Sequence, residues 1–333
     1  MNTLKGKRIL FISAQAFGIP EEIVSKLEEM GAHVDYYDER PANSVFVKAA
    51  IRINRNLIGH YIDKYHDSII EKTRNNNYDY IFFIKGESFS VGQLKALFSL
   101  HPNAETIIYH WDSIANNRNA LNLLSLFNKK FTFDPRDSKR YNIIFLPLFY
   151  YDEYARLRNS KENLKYDFMF VGTVHSNRYR IIKGLTDKFK AQGKKCFTFF
   201  FFQSRLMFYK YWLEHKEIRN INRDSVHYSS IDKKRLLSLY ESSKIIIDVS
   251  HPKQCGLTLR CMETLGSGRK LITTNRDIQN YDFYNPANIC VIDNNNPVID
   301  KDFLEKEYIR IEDKIYNKYS LSSWIKRIFS LNE

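Results

Sequence analysis

Residues 244–275 read KIIIDVSHPKQCGLTLRCMETLGSGRKLITTN. The apolar run Ile245 to Val249 has the look of a buried strand. A polar loop follows from Ser250 to Gly256, then a short helix from Thr258 to Leu265. Gly266 and Gly268 stop that helix before a second strand, Leu271 to Thr274. Strand, loop, helix and strand within about 30 residues is the size of a βαβ unit. The loop opens on a helix N-terminus, where free backbone N–H groups and the helix dipole favour an anion. Gly256 lets a ligand approach the backbone closely, and Thr258 can cap the first turn. Arg260 and Glu263, three residues apart, project from neighbouring places on one helical face. A guanidinium beside a phosphate, and a carboxylate that accepts from ribose hydroxyls, are what a nucleotide diphosphate requires. The competing reading is an ordinary α/β turn carrying a solvated Arg260/Glu263 pair.

With the preceding LLSLYESSK, this block resembles the donor-domain signature of glycosyltransferases with the GT-B fold. It is most similar to the bacterial surface-polysaccharide (lipopolysaccharide or capsule) and spore-maturation-like types. The matching positions are Gly256, Leu257, Arg260, Glu263, Gly266 and the strand KLITT. The common pattern has an acidic residue at each end of the block. Cys255, eight residues before Glu263, stands at the first of these, so that carboxylate is missing here. The resemblance implies an α/β chain of two Rossmann-like domains with a cleft between them. It also implies that Gly256, Leu257, Thr258, Arg260 and Glu263 bind the donor. On that reading, Arg260→Ala removes nucleotide binding at little cost to the ligand-free fold.

The 333 residues are enough for two domains, each burying its own core, and 44% apolar content is that of a globular protein. A formal charge of +13 calls for an anionic partner: nucleotide phosphates, an anionic membrane surface or nucleic acid. Lys and Arg are scattered along the chain and no nucleic-acid motif appears, which argues against the last. The four cysteines, Cys196, Cys255, Cys261 and Cys290, form no CxxC pair and read as reduced thiols of a cytoplasmic protein. No signal peptide is expected, and no apolar run approaches the roughly 18 residues of a membrane span.

Taken in order, KRILFIS (Lys7 to Ser13), a helix from Pro20 to Met30 and a strand at His33 to Tyr37 open an α/β pattern. The intervening AQAFGIP matches neither the dinucleotide fingerprint nor a P-loop. Gln15, Phe17 and Gly18 are acceptor-side candidates by the resemblance, with a plain connecting loop as the alternative. A long basic helix is expected from Val47 to Arg74. Further strands are expected in YDYIFFIKGES (Tyr78 to Ser88), Thr106 to His110, KFTFD ending at Asp134, and IIFLPLFY (Ile143 to Tyr150). Alternating strands and helices predict a doubly wound sheet, with ligands beyond the strand C-termini. Glu87, His110, Asp112 and Asp134 stand at those ends. Asp112 is the first choice for a base on the acceptor hydroxyl, because Trp111 beside it can stack on a sugar; helix capping is the competing role.

Domain boundaries are set at 1–150 for the acceptor side, 151–165 for a charged connector and 166–310 for the donor side. Residues 311–333 are read as a helix crossing back to the first domain, with membrane contact the alternative for its apolar stripe. The second half opens with YDFMFVGT and the loop Gly172, Thr173, His175, Ser176, Arg178, where Gly, Thr and Arg near a helix N-terminus suit an anion. The aromatic and basic helix SRLMFYKYWLEHK is read either as core packing or as a face resting on a membrane.

The expected activity is transfer of a sugar from a nucleotide-sugar to a surface glycan or lipid-linked acceptor, with no cofactor and no metal. Asp300-Lys301-Asp302 reads as a turn or cap and not as a metal motif. A nucleotide-sugar epimerase and a basic nucleic-acid-binding protein are the competing functions.

Overall fold

The computed structural model describes residues 4–16, 18–42, 58–117, 119–160, 164–174, 177–251 and 255–331. Two compact units divide the chain: Met1–Leu148 together with Leu321–Glu333, and Phe149–Ser320.

The first unit is built on β1 (Arg8–Ser13), β2 (His33–Asp38), β3 (Tyr80–Ile84), β4 (Glu105–His110), β5 (Lys129–Thr132) and β6 (Ile144–Phe145). All pair in parallel, in the order β2-β1-β3-β4-β5-β6. Helices between successive strands make the parallel pairing possible, and continuous apolarity makes β3 central: Ile81, Phe82, Phe83 and Ile84 are fully buried. One face packs Leu10, Ile12, Phe83 and Ile108 against the connecting helices. On the other, the helix Leu321–Ile328 sets Trp324 edge-on to Tyr109 at 4.8 Å, and Phe329 follows edge-on to Tyr80 at 4.9 Å. That apolar stripe is buried against unit one and not open to a membrane.

Three expectations shift. The long basic helix is described only from Gly59 to Thr73, and residues 43–57 lie outside the described chain. IIFLPLFY gives a two-residue edge strand, because Pro147 has no N–H to continue the ladder. The tail returns to the first unit at Leu321, and residues before it, including the helix Asp313–Asn317, belong to the second.

The second unit contains β7 (Tyr166–Thr173), β8 (Cys196–Phe201), β9 (Val226–His227), β10 (Ser243–Asp248), β11 (Lys270–Thr273) and β12 (Ile289–Val291), again all parallel, ordered β12-β11-β10-β7-β8-β9. Counted from its own first strand this is the 3-2-1-4-5-6 order of dinucleotide-binding folds, whose direction reverses between β7 and β10. The charged stretch expected as a connector is folded into this unit. Its helix Asp152–Leu157 buries Tyr154 edge-on against Tyr240 at 4.9 Å.

Candidate functional site

Strand order alone places a ligand crevice at the C-terminal ends of β7 and β10, where neighbouring connections leave on opposite faces. Gly172 and Thr173 end β7, with Val174 next; Asp248 ends β10, with Val249 and Ser250 next. Two arginines from different helices join these ends. Arg178, first residue of the helix Arg178–Ala191, donates through Nε to the Val249 carbonyl at 2.9 Å and through Nη1 to the Thr173 carbonyl at 2.9 Å. Arg260, on the helix Leu259–Gly266, pairs through Nη1 with Asp248 at 2.8 Å and donates through Nη2 to the Val171 carbonyl. Gly172 makes room for this: a Cβ there would lie 2.8 Å from Arg260 Nη2 and 3.1 Å from the Phe170 ring.

Asp248 is fully buried. Burial opposes the Arg260 charge, yet Asp248, Tyr240 and Glu263 together outweigh it and hold that guanidinium above its ordinary value. Arg178 is pushed down to about 9 by burial and by the neighbouring Arg260 charge, and so stays protonated at neutral pH. Arg178 and Arg260 thus meet Asp248 beneath the switch point, and the Glu263 carboxyl acts on Arg260 from the same helix.

The loop after β10 is fixed to β11. The Ser250 N–H donates to Thr274 Oγ1 at 3.0 Å, and Asn275 Nδ2 donates to the carbonyls of Cys255 at 3.0 Å and Gly256 at 3.3 Å. Thr258 caps the next helix, its hydroxyl accepting from the Cys261 N–H at 3.3 Å. A helix N-terminus therefore opens at the same strand ends as the two arginines.

The structure changes the roles expected of three of these residues. Arg260 is not a free guanidinium waiting for phosphate; it is already tied to Asp248 and Val171. Glu263 accepts from the Tyr240 hydroxyl at 2.8 Å and from Tyr154, so a ribose hydroxyl must compete with two phenols. Burial pushes the Glu263 carboxyl up, while Tyr240, Arg260 and Tyr154 pull it back. Leu257 is buried, leaving only its backbone for a ligand. His175 lies outside the described residues. Asp248 is not among the candidates the sequence suggests, although a carboxylate closing an otherwise apolar strand is a visible signal.

In the first unit the strand ends carry a separate polar cluster. Arg40, just past β2, donates through Nε to Glu87 Oε1 at 2.8 Å; Lys85 Nζ lies 3.4 Å from Glu87 Oε2 and 3.5 Å from Asp112 Oδ2. Lys85 and Gly86 both take positive φ, 78° and 63°, turning the chain sharply off β3. Asp112 Oδ1 accepts from the Ser113 N–H and from Asn116, each at 3.0 Å, so it is a loop organiser with 29% of its side chain exposed. Trp111 is half-buried. His110 is buried and pushed down to about 4 by burial and by Lys85, which makes it a poor proton acceptor. Asp134 caps the helix Pro135–Tyr141 through the Arg136 N–H at 2.9 Å. Gln15 donates to Glu21 of the helix Ile19–Glu29, and Gly18 is that helix's left-handed N-cap; Phe17 lies outside the described residues. Glu39 and Arg40, missed in the sequence, come from the ERP segment after β2, where nothing in the local pattern marks them.

Asp300 caps the helix Lys301–Glu305 through the Asp302 N–H at 3.0 Å. Among the described residues no three His, Cys, Asp or Glu side chains converge as metal ligands, and no helix is long and apolar enough to cross a membrane.

No family model and no curated protein matches the chain. Solved structures match it over nearly its whole length. An alpha-glucosyltransferase in complex with UDP and a 13-mer DNA aligns with a TM-score of 0.63 at 13% identity, covering 97% of this chain and 98% of that one. An alpha,alpha-trehalose-phosphate synthase (UDP-forming) from Burkholderia xenovorans gives 0.62 at 10% identity, over 97% and 99%. The fold is GT-B. A UDP-GlcNAc 2-epimerase from Methanocaldococcus jannaschii also aligns, at 0.53 and 11% identity, over 97% and 99%. The GT-B layout thus serves more than one reaction, and the chemistry of this chain has to be argued from its site.

Proposed function

We propose that this protein is a glycosyltransferase that moves a sugar from a nucleotide-sugar donor to a growing cell-surface glycan, such as lipopolysaccharide or capsule. One observation carries the reading: the β7/β10 switch point holds two arginines against one buried carboxylate, beside the capped N-terminus of the helix Leu259–Gly266. An anionic leaving group fits there. As the acceptor oxygen bonds to the anomeric carbon, the bond to the donor phosphate breaks and its electron pair leaves on a phosphate oxygen. Arg178, Arg260 and the loop N–H groups would stabilise that charge, the task a divalent ion has in other transferases, and this is why we read the reaction as metal-independent.

Arg260 and Arg178 would act chiefly by fixing the strand ends and supplying field. Gly172, Thr173, Gly256 and Thr258 would meet the phosphates through backbone N–H or hydroxyl groups. On the acceptor side Asp112 is the proposed base, because its carboxylate is the more exposed of the two paired with Lys85. A glycan or lipid-linked acceptor is the proposed second substrate, reached on the cytoplasmic side of an anionic membrane, with no nucleic acid.

The epimerase reading is favoured by a different result: turnover of a nucleotide-sugar with no acceptor present. A thermal-shift screen of UDP-, GDP- and CMP-sugars, with and without EDTA, tests the proposal. A ligand that binds only the native state adds about 2.7 kcal/mol of stability at a hundredfold excess over Kd, and so raises the melting temperature. One nucleotide class should give a shift that EDTA leaves in place. Absence of any shift, or a shift lost with EDTA, counts against the donor site or its metal independence respectively.

A further inference from the structure

The helix Arg205–Glu214 is apolar on both sides. Its inner side sinks Phe208 completely into the core of the second unit, with Tyr211 and Trp212 packed behind it. Its outer side carries Leu206, Tyr209 and Leu213, which at this spacing share one face and are 79%, 54% and 66% exposed. Tyr228, close to Phe208, adds a fourth exposed apolar side chain. Large aliphatic side chains grouped in water signal a partner surface.

Charge identifies the partner. Arg205 and Lys210 flank this face at helical spacing, and Lys216, Arg219 and Arg223 follow the helix, all exposed, a basic collar against Glu214, Glu217 and Asp224 in the same segment. The arginines lie along the aromatic rings: Arg205 over Tyr228 at 5.8 Å, Arg219 over Trp212 at 5.6 Å and Arg223 over Phe208 at 4.9 Å. Cation–π contacts hold these guanidinium groups beside the apolar residues, the pairing of basic and apolar side chains that an anionic lipid interface takes. We propose that this helix docks on an anionic lipid bilayer, with Leu206, Tyr209 and Leu213 entering the headgroup boundary and the basic collar on lipid phosphates. A second copy meeting the same face two-fold would bring basic collar against basic collar. A nucleic acid would engage the collar but gain little from two exposed leucines.

The inference deepens the lipid-linked acceptor proposed above and in that sense rests on it, while the helix itself can be tested without any donor. The full chain is floated with phosphatidylcholine vesicles, with and without phosphatidylglycerol. Wild-type protein should float with the anionic vesicles and far less with the neutral ones. Leu206→Glu with Leu213→Glu should weaken that binding about tenfold or more, through lost apolar burial. Lys210→Glu, a change at an exposed position, should weaken anionic binding alone. Equal flotation of all variants, or no flotation of the wild type, overturns the proposal. So does a light-scattering dimer, or oligonucleotide binding, that the double leucine variant abolishes. Nucleotide-sugar shifts measured on the same samples separate the two readings: vesicle binding without any nucleotide shift sinks the transferase and leaves the lipid face standing.

Discussion

Arg260 marks both the reach and the limit of reading side chains from spacing. Its place on the helix after the loop was legible, because Thr258 and Gly266 bound that helix unambiguously. Its partner was not, since Asp248 lies twelve residues away and only the packing of the helix back onto β10 brings it near. The consequence is a revised expectation: Arg260→Ala should lower stability markedly, by about 3–5 kcal/mol, because it strands a buried carboxylate. The paired change Asp248→Asn with Arg260→Gln should recover much of that loss in a denaturant titration while nucleotide-sugar binding stays weak. Recovery of binding along with stability would mean that the guanidinium contributes no field to the ligand.

Glu39 offers a second test, in the first unit. It is fully buried, accepts from the Ser88 N–H at 2.6 Å, and has an Oε2 without a partner among the described residues. Burial, with the nearby Glu87 charge, pushes its carboxyl up to about 7. A raised acid binds its proton more tightly in the folded state. Its contribution to stability is therefore full below about pH 4.5 and is lost as pH rises through 7. Melting followed between pH 5 and 8 should show a decline, on the order of 3 kcal/mol in all, that Glu39→Gln flattens. An unchanged slope in the variant would place the titration elsewhere.

Elements were more legible than side chains. Continuous apolar runs gave the central strands of both sheets, because a parallel strand covered on two faces leaves no alternation to misread. Misreadings came where tertiary pairing overrides local composition. IIFLPLFY is apolar enough for a long strand but pairs over two residues, and the charged stretch 151–165 contains a helix whose Tyr154 is buried beside Tyr240. The helix Arg205–Glu214 packs one side in the core and leaves the other exposed. The C-terminal helix closes the first sheet's open face, so Trp324→Ala should cost about 3–5 kcal/mol in urea unfolding. A cost below about 1 kcal/mol would show that the face closes without it.

For the whole molecule, the two sheets have different strand orders and so different switch points. The first reverses between β1 and β3, next to strand ends where Arg40, Glu87, Lys85 and Asp112 neutralise one another. The second reverses between β7 and β10, where two guanidinium groups meet the N-terminus of the helix Leu259–Gly266. The proposed anionic donor is assigned to the second. Periodicity announced two α/β units but not their strand orders, which depend on pairings between distant segments. Hydrogen exchange with and without the nucleotide-sugar found by thermal shift addresses the donor's position. Slowed exchange is expected at residues 172–174, 177–178 and 249–260, with little change at 85–87 or 110–113. Protection confined to the strand ends of the first unit, with residues 172–178 and 249–260 unchanged, would contradict a donor seated at the β7/β10 switch point.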